Sequence, residues 1–133
     1  MLKGIGAWPV DGESVRKSGE FVKVNEDNKL RTIHGKDHPV PFNFFFSTDL
    51  GHMGEFMIPV GGAGVRATEP LSHAGDCAVY VEHGPITFFF PGSHDTFVVE
   101  EGEVMFIPSN TEYQCINYTS KIVKGIFSIG GEV

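Results

Sequence analysis

The stretch Gly102-Glu-Val-Met-Phe-Ile-Pro-Ser-Asn-Thr-Glu-Tyr-Gln-Cys-Ile-Asn117 decides the reading of this chain. Two apolar bursts, GEVMFI and EYQCIN, flank a Pro-Ser-Asn-Thr break, so the segment reads as strand, turn, strand. Its anchors are Gly102, Pro108, Asn110, Tyr113 and Asn117. The Pro and Asn residues suit a tight turn, because proline presets φ and asparagine tolerates the left-handed region.

The same strand-and-turn alternation continues outward in both directions. Phe21–Val24 is the first strand-like run, followed by the turn cluster Asn25–Asn28 and a second run, Leu30–Ile33. His34 to His38 form a polar loop closed by Pro39 and Pro41. Phe42–Ser47 and Gly54–Val60 read as strands joined by a loop carrying Asp49 and His52. Val65–Ala67 is a further short run. Cys77–Val81, Ile86–Phe90, Thr96–Val99 and Ile122–Ile129 complete the set. Apolar residues nowhere recur at helical spacing over a helix length. About ten short strands with turns between them predict an all-β sandwich or barrel.

A chain of 133 residues is expected to be a single domain with a core of its own. Residues 1–40 are expected to form an N-terminal arm and strands that serve the barrel or a dimer, and residues 41–133 the barrel itself. With 17 Gly, 8 Pro and 12 Phe, the composition favours short strands and many turns. The net charge of -7 leaves no basic face to neutralise phosphates, so neither nucleic acid nor an anionic membrane is an expected partner. No apolar run reaches the length of a membrane span. The amino-terminal residues lack the pattern of a secretory signal, which makes the cytoplasm the default location. Cys77 and Cys115 are too few for a disulfide framework.

The spacing of the opening stretch, G-x5-P-x-N-x2-Y-x3-N, resembles the second box of the cupin family, G-x5-P-x-G-x2-H-x3-N. Asn110 replaces a turn glycine, and Tyr113 stands where the family has a metal-binding histidine. The family's first box, G-x5-H-x-H-x3-E-x6-G, aligns on Gly84 and places its three ligand positions on Leu71, His73 and Cys77. The resemblance covers residues 42–130. It implies a small double-stranded β-helix, the cupin jelly-roll barrel, in which one of four ligands is kept. It also implies a pocket, and the family's habit of pairing implies a homodimer.

Side-chain alternation independently gathers polar groups toward that pocket. If Tyr113 points inward, so do Cys115 and Asn117; if His73 does, so do Glu69 and, with an extended backbone, Cys77. A bulge at Gly75 would bring in Asp76 instead. Tyr80, Phe88 and Phe90 are candidate pocket walls. Acid, imidazole, thiol and phenol in one interior are costly unless solvated or bound. His73, Tyr113 and Glu69 are the candidate acid–base residues, with Leu71, Asp76, Cys77, Tyr80, Cys115 and Asn117 around them. No cofactor is expected; the alternative is a divalent transition metal held by His73, Glu69, Cys77 and Tyr113. His34, His38, His52, His83 and His94 are read as exposed loop or turn residues.

Two functions follow. One is a metal-independent dehydratase, isomerase or epimerase acting on a small polar metabolite such as a sugar or hydroxy acid. The other is a non-catalytic metabolite-binding or assembly protein. A metal-dependent lyase or dioxygenase with an unusual ligand set is a third, weaker alternative.

Overall fold

The computed structural model describes residues 8–34, 40–60 and 70–131. One helix, α1 (Gly12–Ser18), precedes nine strands: β1 (Leu30–His34), β2 (Val40–Ser47), β3 (Gly51–Ile58), β4 (Cys77–His83), β5 (Ile86–Phe90), β6 (Asp95–Val99), β7 (Val104–Ile107), β8 (Gln114–Ile116) and β9 (Val123–Gly130). A six-stranded antiparallel sheet has the order β1-β2-β3-β9-β4-β7, and a three-stranded sheet the order β6-β5-β8. The all-β jelly-roll expectation holds. β1 and β2, on either side of the boundary expected at residue 40, pair in one sheet.

Strand β9 is the centre of the large sheet, paired along its length with β3 and β4. Its buried residues alternate, Val123, Gly125, Phe127 and Ile129, as one face of a strand packed on a core requires. Phe127 meets Phe42 at 4.7 Å between ring centres and Phe44 edge-on at 5.4 Å. Phe42 stacks on Phe56 at 5.7 Å. Gly125 makes this packing possible, because a Cβ there would lie 2.6 Å from the Phe56 ring.

Three sequence expectations need correction. Phe21–Val24 forms no strand, and Phe21 is fully exposed. Alternation alone does not make a strand where no neighbouring strand among the described residues pairs with it. Residues 12–18, expected to lack a helix, form α1, which is too short to show periodicity and is set by its caps. The Asp11 carboxylate accepts from the N–H groups of Glu13 and Ser14, and Gly19 closes the helix at φ 70°. Arg16 then fastens the helix to Asp49 through two bonds of 2.8 Å.

His52 is the third correction. It lies within β3 and is buried, with Nδ1 2.7 Å from the Ser47 hydroxyl and Nε2 2.7 Å from the Gly131 carbonyl. A carbonyl only accepts, so Nε2 carries the proton. His34 ends β1 rather than opening a loop, and His38 lies outside the described residues. His83 and His94 are exposed as expected. Among the described residues, no helix is long and apolar enough to cross a membrane.

The outward face of the large sheet carries a charge network around Glu55, which is 2% exposed. Its carboxylate accepts from Lys29 at 2.7 Å, Lys124 at 3.0 Å and Asn43 at 3.2 Å. Lys29 also reaches Glu26, and Lys124 reaches Glu82. Burial alone would push the Glu55 carboxyl up, but the hydrogen bonds from Lys29, Lys124 and Asn43 outweigh it and hold it at about 2. A folded-state value below the unfolded 4.5 means the stabilisation is complete above pH 4.5 and is lost as pH falls toward 2. Glu55→Gln is therefore expected to cost about 2 kcal/mol at pH 7, since it removes the buried carboxylate and leaves Lys29 and Lys124 only their outer partners Glu26 and Glu82. In paired thermal melts the gap between wild type and variant should narrow between pH 5 and about pH 2. A gap independent of pH would contradict this assignment.

Candidate functional site

The site begins with a short backbone zipper. Leu71 and Tyr113 exchange both main-chain hydrogen bonds at 2.9 Å. Next to it the Pro108–Asn110 turn is clasped twice: Asn110 N–H donates to the His73 carbonyl at 2.7 Å, and Ser109 N–H to the Asp76 carboxylate at 3.0 Å. Asn110 takes φ 58°, so it meets the left-handed demand of the glycine it replaces. Gly75 passes so close to β9 that a Cβ would overlap the Gly130 carbonyl at 1.4 Å. These contacts fix the segment carrying His73 against the strand carrying Tyr113.

The side chains then meet inside the barrel. His73 Nε2 lies 2.6 Å from the Tyr113 hydroxyl, and both residues are buried. The Cys77 thiol also hydrogen-bonds that hydroxyl. Burial pushes the Cys77 thiol up to about 11, against a smaller opposing pull from Tyr113. Cys115, wholly enclosed, is raised further by burial and by Cys77. Burial likewise raises Tyr113 well above the ordinary phenol value, with Cys115 and Cys77 adding to the effect. Both thiols and the phenol are therefore protonated at neutral pH.

A cavity opens beside this cluster, lined by Val40, Phe42, Phe56, Leu71, Val79, Tyr113, Cys115, Phe127 and Ile129. Its volume of about 10 Å³ is room for roughly one water molecule. Leu71 and Phe42 are its partly buried members. The Tyr113 hydroxyl is the strongest hydrogen-bonding side-chain group in the lining.

The residues picked out in sequence divide accordingly. His73, Tyr113, Cys77, Cys115 and Leu71 come together; Glu69 lies outside the described residues. Cys77 faces the interior and Asp76 is exposed, so the Gly75 segment does not bring Asp76 inward. Tyr80, expected as pocket wall, is 44% exposed on the opposite face of β4 from Cys77 and Val79. Phe88 and Phe90 are buried core residues outside the cavity lining. Asn117 is buried but ties loops together: its amide reaches the carbonyls of Ile58, Pro59 and Lys121, and its oxygen accepts from Thr119.

The apolar walls supplied by β2, β3, β4 and β9 were missed. The signal for them was present in the period of two along Gly125, Phe127 and Ile129, which marks one face of β9 as inward.

The described donors do not fit a transition metal. Among the described residues, no three His, Cys, Asp or Glu side chains converge to hold an ion. Leu71 occupies one ligand place, and a protonated Tyr113 already hydrogen-bonded to His73 occupies another.

No family model matches the chain, and no curated protein matches it significantly. Solved structures do. The polyketide cyclase RemF from Streptomyces resistomycificus superposes with a TM-score of 0.67 at 17% identity, covering 84% of this chain and 80% of that one. The Clostridium difficile EutQ protein gives 0.58 at 18%, covering 83% and 81%. An RmlC-like cupin with a double-stranded β-helix fold from Methanocaldococcus jannaschii gives 0.59 at 14%, covering 84% and 91%. With two antiparallel sheets closing around the His73–Tyr113 pair, and this likeness on each side of it, the chain has the cupin fold.

Proposed function

We propose that this protein binds a small, flat, largely apolar molecule carrying one hydrogen-bonding oxygen. The observation that carries the reading is the cavity lining: three phenylalanines and several aliphatic side chains around a neutral tyrosine held by His73. Such a site rewards apolar contact area and offers a focused polar contact, the pattern of a small-molecule pocket. It gives little to a sugar, whose several hydroxyls would each lose hydrogen bonds to water against apolar walls. The lining therefore favours an aromatic ligand over the polar metabolite suggested by the sequence.

A ligand larger than water enters by displacing Leu71 and Phe42, the partly buried members of the wall. Its oxygen then meets the Tyr113 hydroxyl, and His73 keeps that hydroxyl oriented. The panel that tests this is p-cresol, toluene, glucose and lactate, read by calorimetry and by shift of melting temperature. p-Cresol should bind and stabilise. Tyr113→Phe should weaken p-cresol about 5- to 10-fold, the worth of one hydrogen bond, while leaving toluene unchanged. Binding of glucose or lactate without p-cresol would sink the proposal.

A second reading adds turnover, favoured by the 2.6 Å contact between His73 and Tyr113. The Tyr113 hydroxyl would donate its proton to a ligand carbonyl oxygen while water takes the proton from the carbon beside it, giving the enol; His73, hydrogen-bonded to Tyr113, would return a proton to the phenolate and regain one from solvent. One of the proteins of similar fold is a polyketide cyclase, which agrees with ring-bearing carbonyl compounds as candidates. The measurement is deuterium exchange at the carbon beside the carbonyl of a bound aromatic ketone. Wild type should accelerate exchange, and His73→Gln should abolish the acceleration while retaining ligand. Equal rates in both proteins would leave binding without turnover.

A further inference from the structure

The Tyr113 hydroxyl has one proton to give and two lone pairs to fill. Among the described residues its side-chain partners are His73, whose Nε2 lies 2.6 Å away, and the Cys77 thiol. Tyr113 lines the cavity, whereas His73 and Cys77 do not. The hydroxyl therefore stands between two buried groups and a ligand, and what those groups take from it decides what it can offer.

The 2.6 Å separation identifies the donor. An N–H group bonds oxygen at about 2.7–3.2 Å, whereas a hydroxyl donor works from about 2.5 Å. The shared proton is thus the phenol's, His73 Nε2 accepts it, and the neutral imidazole carries its own proton on Nδ1. Giving that proton to Cys77 instead would be a poorer use of it, because thiol sulfur is a weak acceptor. The Cys77 thiol is kept protonated by burial, so its S–H donates into the Tyr113 oxygen and fills one lone pair. One lone pair remains, and it is an acceptor.

We infer, given the ring-bearing apolar ligand proposed above, that the cavity selects that ligand by a hydrogen-bond donor, an aryl O–H or N–H. A phenol or an aniline completes the last bond of the Tyr113 oxygen. A carbonyl at the same place meets a lone pair, and it gains a bond only if the Tyr113 proton leaves His73. That exchange strips a buried imidazole nitrogen of its partner, a penalty that falls on acceptors alone. Cys115, wholly enclosed in the cavity lining, offers a thiol that is weak in both directions and does not reverse the preference. His73 and Cys77 are then positioning residues that set specificity through Tyr113: the imidazole commits its proton and the thiol occupies its second lone pair.

Calorimetric titration of wild type and Tyr113→Phe with p-cresol, p-toluidine, p-tolualdehyde and p-fluorotoluene tests the preference. Comparing the two proteins for one ligand cancels that ligand's own desolvation, which differs among the four. The two donors, p-cresol and p-toluidine, should each lose about 5- to 10-fold in affinity on Tyr113→Phe, while p-tolualdehyde and p-fluorotoluene should change by less than about twofold. A loss for p-tolualdehyde as large as that for p-cresol would overturn the inference. NMR of isotope-labelled histidine in unliganded wild type addresses the same point without a variant: His73 Nδ1 should carry a directly bonded proton and Nε2 none. A proton on Nε2 would overturn it equally. The failures are distinguishable. If no ring compound binds wild type, p-fluorotoluene included, the apolar-ligand reading falls and the donor preference with it. If all four bind and none responds to Tyr113→Phe, the donor preference alone falls.

Discussion

The pairing of Leu71 with Tyr113 is the contact on which the site depends. Two main-chain bonds of 2.9 Å join a segment before β4 to the start of β8, and thereby the two sheets at one end of the barrel. The adjoining turn at Pro108–Asn110 is held by the His73 carbonyl and the Asp76 carboxylate, so the same few residues fix backbone and side chain together. Tyr113 can then stand 2.6 Å from His73 without either ring choosing among rotamers in open space. Pre-ordering of this kind lowers the entropy cost of binding a ligand against the pair.

Interior and exterior solve their electrostatics in opposite ways. On the outside face, Glu55 is buried yet ionised because two lysines and an asparagine amide replace the water it lost. Inside, the groups hydrogen-bonding Tyr113 are an imidazole and a thiol, and the site settles into neutral phenol and thiols. The carboxylate belongs to the scaffold, where it tethers Lys29 and the chain entering β1. The neutral pair belongs to the cavity, where an uncompensated charge would be expensive.

The frame G-x5-P-x-N-x2-Y-x3-N was legible because its spacing encodes backbone geometry: Pro108 and Asn110 make the turn, Gly102 takes φ 84°, and Asn117 ties three carbonyls. Alternation placed His73, Cys77, Tyr113 and Cys115 inward because a strand has only two faces. What stayed hidden depends on neighbours rather than on local pattern. Tyr80 faces out rather than lining the pocket, because it sits on the opposite face of β4 from Cys77 and Val79. His52 looked like a loop residue because its burial comes from Ser47 and Gly131, the latter 79 positions away. Helix α1 has too few residues to show a period, and only its caps, Asp11 and Gly19, mark it. The aromatic wall went unread because Phe42, Phe56 and Phe127 come together only through the register of β2, β3 and β9.

The convergence of residues 71, 73, 77 and 113 separates scaffold from reactivity. Leu71 and Tyr113 line one cavity, His73 and Cys77 both bond the Tyr113 hydroxyl, and the backbone that holds them relies on none of their side chains. Exchanging Leu71→His, Cys77→Glu and Tyr113→His would set imidazoles and a carboxylate beside His73 on the same backbone. A rise in melting temperature on adding zinc to that triple variant would measure whether the backbone alone can gather four ligands.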